Sequence, residues 1–140
     1  MSHRHNLRRG AAAVEFALVA PVFLFAIIMP MIEFGRAIMV ANILDAAAEV
    51  GCRTGTLPGS DNSAITTAVT NNLAAQGISN ANPVAVKVNG ALANASTAQQ
   101  GDSISVTVSI PYSNVSWLPA SLNVYVGTKT LSATEVMRHE

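Results

Sequence analysis

A single carboxylate, that of Glu15, stands inside a long apolar stretch of the chain. Residues 16–32 carry no charged side chain, and together with residues 11–14 they are long enough to cross a bilayer as a helix, which takes about 20 apolar residues. A carboxylate at membrane depth is costly and usually has a partner, so its chemistry would be charge pairing inside a membrane. The alternative is that Glu15 reaches the headgroup region near Arg8 and Arg9 and makes no specific contact.

Side chains that could catalyse a reaction are few and scattered. The histidines stand near the termini, and the Ser and Thr residues lack a neighbouring His or a nucleophile motif. The glycines do not form a phosphate-binding loop. We therefore predict that the protein is not an enzyme and that it has no catalytic, cofactor-binding or metal-binding residues. Cys52, the only cysteine, is expected to be a small buried apolar residue, with a bridge to a second chain as the alternative.

Charge is distributed unevenly along the 140 residues, although the formal total is zero. Residues 1–10 hold three arginines and no acid, which leaves residues 11–140 with a net charge of about −3. No basic stripe remains to neutralise phosphates, so we predict no direct binding of nucleic acid. Arginines beside a span favour the cytoplasm, so the remainder should project outward. The small residues at 11–13 precede the apolar core, unlike those of a signal-peptidase site.

The apolar span is expected to continue into an amphipathic helix that reaches about Arg53. Pro21 and Pro30 predict a bent helix, although Pro30 could instead mark the outer end of the span. Beyond Glu33 the apolar residues fall within roughly one stripe. The members of this predicted stripe are Ile38, Ile43, Ala47 and Val50.

The second half of the chain is predicted to form one short helix followed by strands. Residues 55–59 should break the long helix, after which Ser60 or Asp61 caps a second helix that ends at Gly77. Alternating apolar residues predict strands near 84–88, 104–110 and 128–134, with a loop or long hairpin at 90–102 and an irregular segment or fourth strand at 112–125. The fold class is therefore α+β, with a three- or four-stranded antiparallel sheet packed against the amphipathic helix.

Several motifs then follow one another in an order typical of one family. Gly10 precedes a small residue and stands five positions before Glu15, which is followed by Phe16. The later motifs are Glu33-Phe34-Gly35-Arg36 after the span, Gly51-Cys52-Arg53 near the helix end, and Val136 to Glu140 at the terminus. This order resembles the TadE-like pseudopilins, minor pilins of the tight-adherence (Flp) type IV pilus system. The resemblance covers nearly the full length of the chain, with a TadE-like region at about residues 10–53. Cys52 departs from the pattern, where a small residue such as Ala is expected.

The resemblance implies a division of the chain and a role for its motifs. Residues 1–10 would be a leader cut by a prepilin peptidase between Gly10 and Ala11. Residues 11–55 would form the long helix, transmembrane over about 14–34, and residues 56–140 an extracytoplasmic α+β domain. Glu15, with Phe16, would be an assembly contact in which the carboxylate pairs with the new amine of Ala11, in its own chain or in a neighbour. Glu33 and Arg36 would mark the membrane exit.

The resemblance also implies where the protein works and with what. The partners would be the lipid bilayer, the prepilin peptidase, other pilins or pseudopilins, and pilus assembly platform proteins. The protein would be a single-pass protein of the bacterial inner membrane, with a cytoplasmic N-terminus and a periplasmic or extracellular C-terminal domain, and could enter the pilus itself. The alternative is a single-pass anchored envelope protein with a small binding domain and no prepilin processing.

Overall fold

The computed structural model describes residues 4–118 and 129–139, with side chains described from Gly10 onward. It places the chain in two compact units, Met1–Gly35 and Arg36–Glu140. The predicted α+β class is confirmed, because a long apolar helix and a second, shorter helix accompany a four-stranded antiparallel sheet.

The first unit is helical from Arg4 onward and exposes its apolar side chains. It is the first part of α1, which runs for 52 residues over Arg4–Gly55 and continues through both Pro21 and Pro30. Every side chain described from Gly10 to Ile32 is exposed, except for the half-buried Ala20. Phe16 and Leu18, for example, are 73% and 70% exposed. An apolar helix with no protein around it requires another apolar environment to cover it.

The second unit begins with the amphipathic part of α1. Its buried side chains recur at intervals of one, three and four residues, as expected for one face of a helix. They are Val40, Ile43, Leu44, Ala47, Ala48 and Cys52. The predicted stripe was therefore right at Ile43 and Ala47 but rotated elsewhere, since Ile38 is half exposed and Val50 is only partly buried.

A second helix, α2 (Asn62–Ala75), adds three apolar residues to the same core. Asp61 caps it, accepting a hydrogen bond from the backbone N–H of Ala64 at 2.8 Å. Gly77 lies just beyond its end with a φ of +75°, a left-handed conformation that glycine adopts readily and that commonly terminates helices. The predicted cap and end are thus confirmed. The buried residues of α2 are Ile65, Val69 and Leu73.

The sheet contains strands β1 (Ala85–Val88), β2 (Ala91–Leu92), β3 (Ser103–Pro111) and β4 (Thr130–Arg138) in the order β2-β1-β3-β4. All neighbouring strands are antiparallel. The alternation predicted for β3 is observed, with Ile104, Val106, Val108 and Ile110 buried. These four side chains complete the core against the stripe of α1 and the face of α2.

The segments 90–102 and 112–125, whose structure the sequence left open, each contain a short regular element. Within the stretch 90–102, β2 pairs with β1 across a two-residue turn at Asn89-Gly90, and a single 3-10 turn follows at Ala95–Thr97. Both turn residues have positive φ, as a type I′ hairpin requires. A 3-10 turn occupies Tyr112–Asn114, whereas residues 119–125 of the second ambiguous stretch lie outside the described part of the chain.

Candidate functional site

The predicted processing and assembly residues lie together near the start of α1. Ala11 and Glu15 are four residues apart, one helical turn or about 6 Å of rise. Gly10, Ala11, Glu15 and Phe16 are all exposed. A Cβ atom added at Gly10 would meet nothing within 4 Å beyond its own helix, so this glycine is not required by packing. The segment therefore presents a carboxylate and a glycine on an accessible apolar helix.

The predicted exit residues differ in their surroundings. Glu33 is buried, at 7% exposure. Arg36 begins the second unit and is held there from two sides. Its Nε donates a hydrogen bond to the backbone carbonyl of Val115 at 3.2 Å, and its guanidinium lies 5.2 Å from the centroid of the Trp117 ring. That distance is within the range of a cation–π interaction.

The contact of Trp117 with Arg36 was not predicted from the sequence. Trp117 is 68% exposed, and it follows a 3-10 turn that ends only three residues earlier, at Asn114. The sequence carries no short-range signal that brings it beside Arg36, because the two residues are 81 positions apart. Their contact depends on β3 carrying the chain back along the amphipathic part of α1. The only signal in the sequence was that Trp117 is the sole tryptophan of the chain.

Cys52 is buried, as expected from its sequence surroundings. Its side chain has no exposed surface and forms no disulfide. The thiol Sγ lies 3.1 Å from the carbonyl oxygen of Glu135 and 3.7 Å from that of Ile104, so it donates toward β4 and β3. Burial raises the pKa of the Cys52 thiol, which favours the unreactive neutral form. The arrangement suits packing rather than nucleophilic chemistry.

In the part of the chain that the structure describes, no cluster of three or more His, Cys, Asp or Glu side chains could hold a metal ion. The same part contains one helix that is long and apolar enough to cross a membrane, Gly10–Gly55, with a mean hydropathy of 2.4 in its most apolar window. The described residues therefore support insertion of an apolar helix into an apolar environment, and that helix carries the carboxylate of Glu15.

Comparison with known proteins gives one match. Residues 10–53 match the family model described as TadE-like protein. This part of the chain is similar to the TadE-like family. No curated protein matches the chain, and no solved structure matches it.

The TadE-like segment, residues 10–53, contains every residue predicted for processing, assembly and membrane exit. The match confirms the suspected family over residues 10–53, and the motif at Val136 to Glu140 lies outside the matched range. The TadE-like family, whose members are pilus structural components, suggests a protein associated with a tight-adherence pilus. Interaction with other pilus components fits this family, and the apolar helix fits membrane anchoring.

Proposed function

We propose that the protein is a minor pilin-like component of a tight-adherence pilus, matured by a prepilin peptidase. The helix spans the inner membrane over about residues 14–34, with the leader in the cytoplasm, and the domain that follows lies outside. The observation that carries the proposal is the exposed apolar helix of the first unit, which carries Gly10 and Glu15 at the spacing that the family resemblance implies. The proposed division into leader, helix and outer domain keeps the boundaries 1–10, 11–55 and 56–140.

The protein would assemble by packing its apolar helix against the helices of neighbouring subunits, and Glu15 would make the polar contact between them. After cleavage, the amine of Ala11 is largely cationic at neutral pH, because its reference pKa is near 8. A neighbouring subunit then supplies a cation at the depth where Glu15 needs one. The pairing fixes the relative height of adjacent helices, since any other register leaves the carboxylate without compensation in lipid. The partners are the bilayer, the peptidase, other pilins and the assembly platform.

Two substitutions in a host with an active prepilin peptidase test this proposal. Gly10→Ala should abolish processing, seen as retention of the leader in the membrane-bound protein by mass spectrometry. Because a Cβ at Gly10 meets nothing within 4 Å, misfolding would not explain that result. Gly35→Ala is the matched control, since its position is equally open, and it should be processed normally.

Glu15→Leu separates assembly from maturation. The Glu15 side chain is exposed, so its replacement should leave the outer domain folded and cleavage largely intact. Incorporation into sheared pilus fractions should fall strongly, and Glu15→Asp should retain part of it because the charge remains. Normal incorporation of Glu15→Leu would show that Glu15 is not an assembly contact.

The alternative function is a plain membrane anchor carrying a small envelope domain. In that case Gly10→Ala changes nothing, because no peptidase acts at this glycine. Wild-type protein that keeps residues 1–10 in the same host would favour this alternative.

A further inference from the structure

We infer that Trp117, held beside Arg36, is an interfacial anchor that rests the second unit on the lipid headgroups. The inference rests on the proposed membrane insertion, because it takes the bilayer surface to lie near the end of the first unit. The partner is the headgroup layer of the membrane that the helix spans.

Arg36 and Trp117 lie close to the point where the apolar span ends. Arg36 directly follows Gly35, the last residue of the apolar first unit, and is the first cation after the span. Arginine beside a span sits at the level of the lipid phosphates and pairs with them. Trp117 lies 5.2 Å from this guanidinium, so a bilayer surface at Arg36 is also within reach of Trp117.

The exposed side chains near Arg36 suit a boundary between lipid and water. Trp117 is 68% exposed although indole is a large apolar group, and Met39 beside Arg36 is 50% exposed. The Arg36 Nη1 lies 3.6 Å from the Met39 sulfur, which places an apolar chain and a cation on one patch. Tryptophan is enriched where membranes meet water, because its ring prefers the apolar side and its N–H the polar side.

The backbone next to this patch is fixed to the folded core. The hydrogen bond from Arg36 to the carbonyl of Val115 ties α1 to the segment just before Trp117. Val115 itself is buried, and its N–H donates to the carbonyl of Tyr112 at 3.0 Å. The backbone is thus fixed to the folded core at Val115, two residues before Trp117, and contact of the ring with the bilayer would orient the second unit on the membrane.

Because Trp117 is the only tryptophan, its fluorescence reports the depth of this one side chain. The full-length protein would be reconstituted into vesicles of phosphatidylcholine and phosphatidylglycerol. One set of vesicles would carry a quencher on the lipid headgroup and a second set a quencher near the end of the acyl chain. Resistance to alkaline extraction would be measured in parallel as the readout of insertion.

The control moves the tryptophan to a site of the second unit that is remote from Arg36. Leu92 is 75% exposed and lies on β2. It is paired with Lys87 of β1, which is paired in turn with Ser105 of β3. This end of the sheet is near Gly55, since a Cβ there would lie 3.2 Å from Ile104. Gly55 is 19 residues along α1 from Arg36, about 28 Å of helix. The control variant is Leu92→Trp combined with Trp117→Phe.

The inference predicts that inserted wild-type protein loses fluorescence to the headgroup quencher more than to the acyl-chain quencher, while the control variant loses it to neither. Inserted protein whose Trp117 is quenched no more than the control overturns the inference and leaves membrane insertion standing. Stronger quenching by the acyl-chain probe overturns it too, because the ring would then lie in the hydrocarbon. Failure of the chain to insert would overturn both this inference and the proposed function.

Discussion

At the scale of single residues, burial controls the chemistry of Cys52. Removal of the thiol from water raises its pKa, and the negative charge of Glu135 raises it further, while backbone hydrogen bonding from Val106 and Met137 lowers it in part. The folded-state pKa therefore lies above that of the unfolded chain, about 8.5. A group with this sign of shift stabilises the folded state fully at pH below the unfolded pKa and loses that contribution as the pH rises.

We accordingly expect an alkaline loss of stability that depends on this thiol. Between about pH 7.5 and 9.5, the free energy of unfolding of wild-type protein in detergent micelles should fall more than that of Cys52→Ala. Denaturant titrations followed by near-ultraviolet circular dichroism measure both. The Cys52→Ala variant corrects for the other groups that titrate in this range. An equal fall in the two proteins would show that the Cys52 proton does not stabilise the fold.

At this scale the residue types are evident from the sequence, but not all of their surroundings are. The burial of Cys52 and the cap at Asp61 follow from local pattern, and both are observed. The contact between Arg36 and Trp117 could not be predicted, because it depends on tertiary structure between residues 81 positions apart.

At the scale of elements, the close approach of α1 to its neighbours depends on Gly51. A Cβ atom at this position would lie 2.7 Å from the Val69 Cγ2 of α2 and 3.0 Å from the Val106 Cγ1 of β3. Both contacts are with short branched side chains in the core, which cannot swing aside as a long side chain can. A glycine here therefore lets one helix touch both a helix and a strand.

Gly51→Ala should destabilise the second unit. Overpacking a filled core typically costs about 1–3 kcal/mol, whereas replacing a helical glycine by alanine returns at most about 1 kcal/mol. We expect a net loss of about 1 kcal/mol in the free energy of unfolding, measured by denaturant titration in micelles. The matched control is Gly35→Ala, which has nothing within 4 Å and should lose no stability. Unchanged or increased stability of Gly51→Ala would contradict the proposed tight packing.

The elements themselves were predictable to different degrees. Strand β3 followed directly from its alternating residues, because a side-chain period of two leaves little ambiguity when one face is buried. The stripe of α1 was misjudged by part of a turn, since Ala-rich sequence offers several apolar faces and only the partners decide which is buried. Strand β4 extends to Arg138, beyond the predicted 134, because its register with β3 continues through Met137 and Arg138.

At the scale of the whole molecule, the two units differ in what covers their apolar surface. The second unit buries its own core, whereas the first exposes an apolar helix that carries one carboxylate. A chain of this kind is stable only if lipid or neighbouring helices complete the first unit. The contrast between a long apolar run and alternating strands predicts an apolar helix followed by a folded domain. The boundary at residues 55 and 56 stays a prediction, whereas the compact units divide between Gly35 and Arg36 because α1 from Val40 onward contributes to the core of the second unit. Length and composition do not predict the register between subunits, and this register is what the proposed pairing of Glu15 would set.

The central claim is that residues 1–10 are removed after membrane insertion. The most direct test is the intact mass and N-terminal residue of the protein purified from native membranes of a host with an active prepilin peptidase. We predict a chain that begins at Ala11, with or without a methyl group on its amine. A membrane-bound chain that still carries Arg8, Arg9 and Gly10 would contradict the proposed maturation and with it the pairing assigned to Glu15.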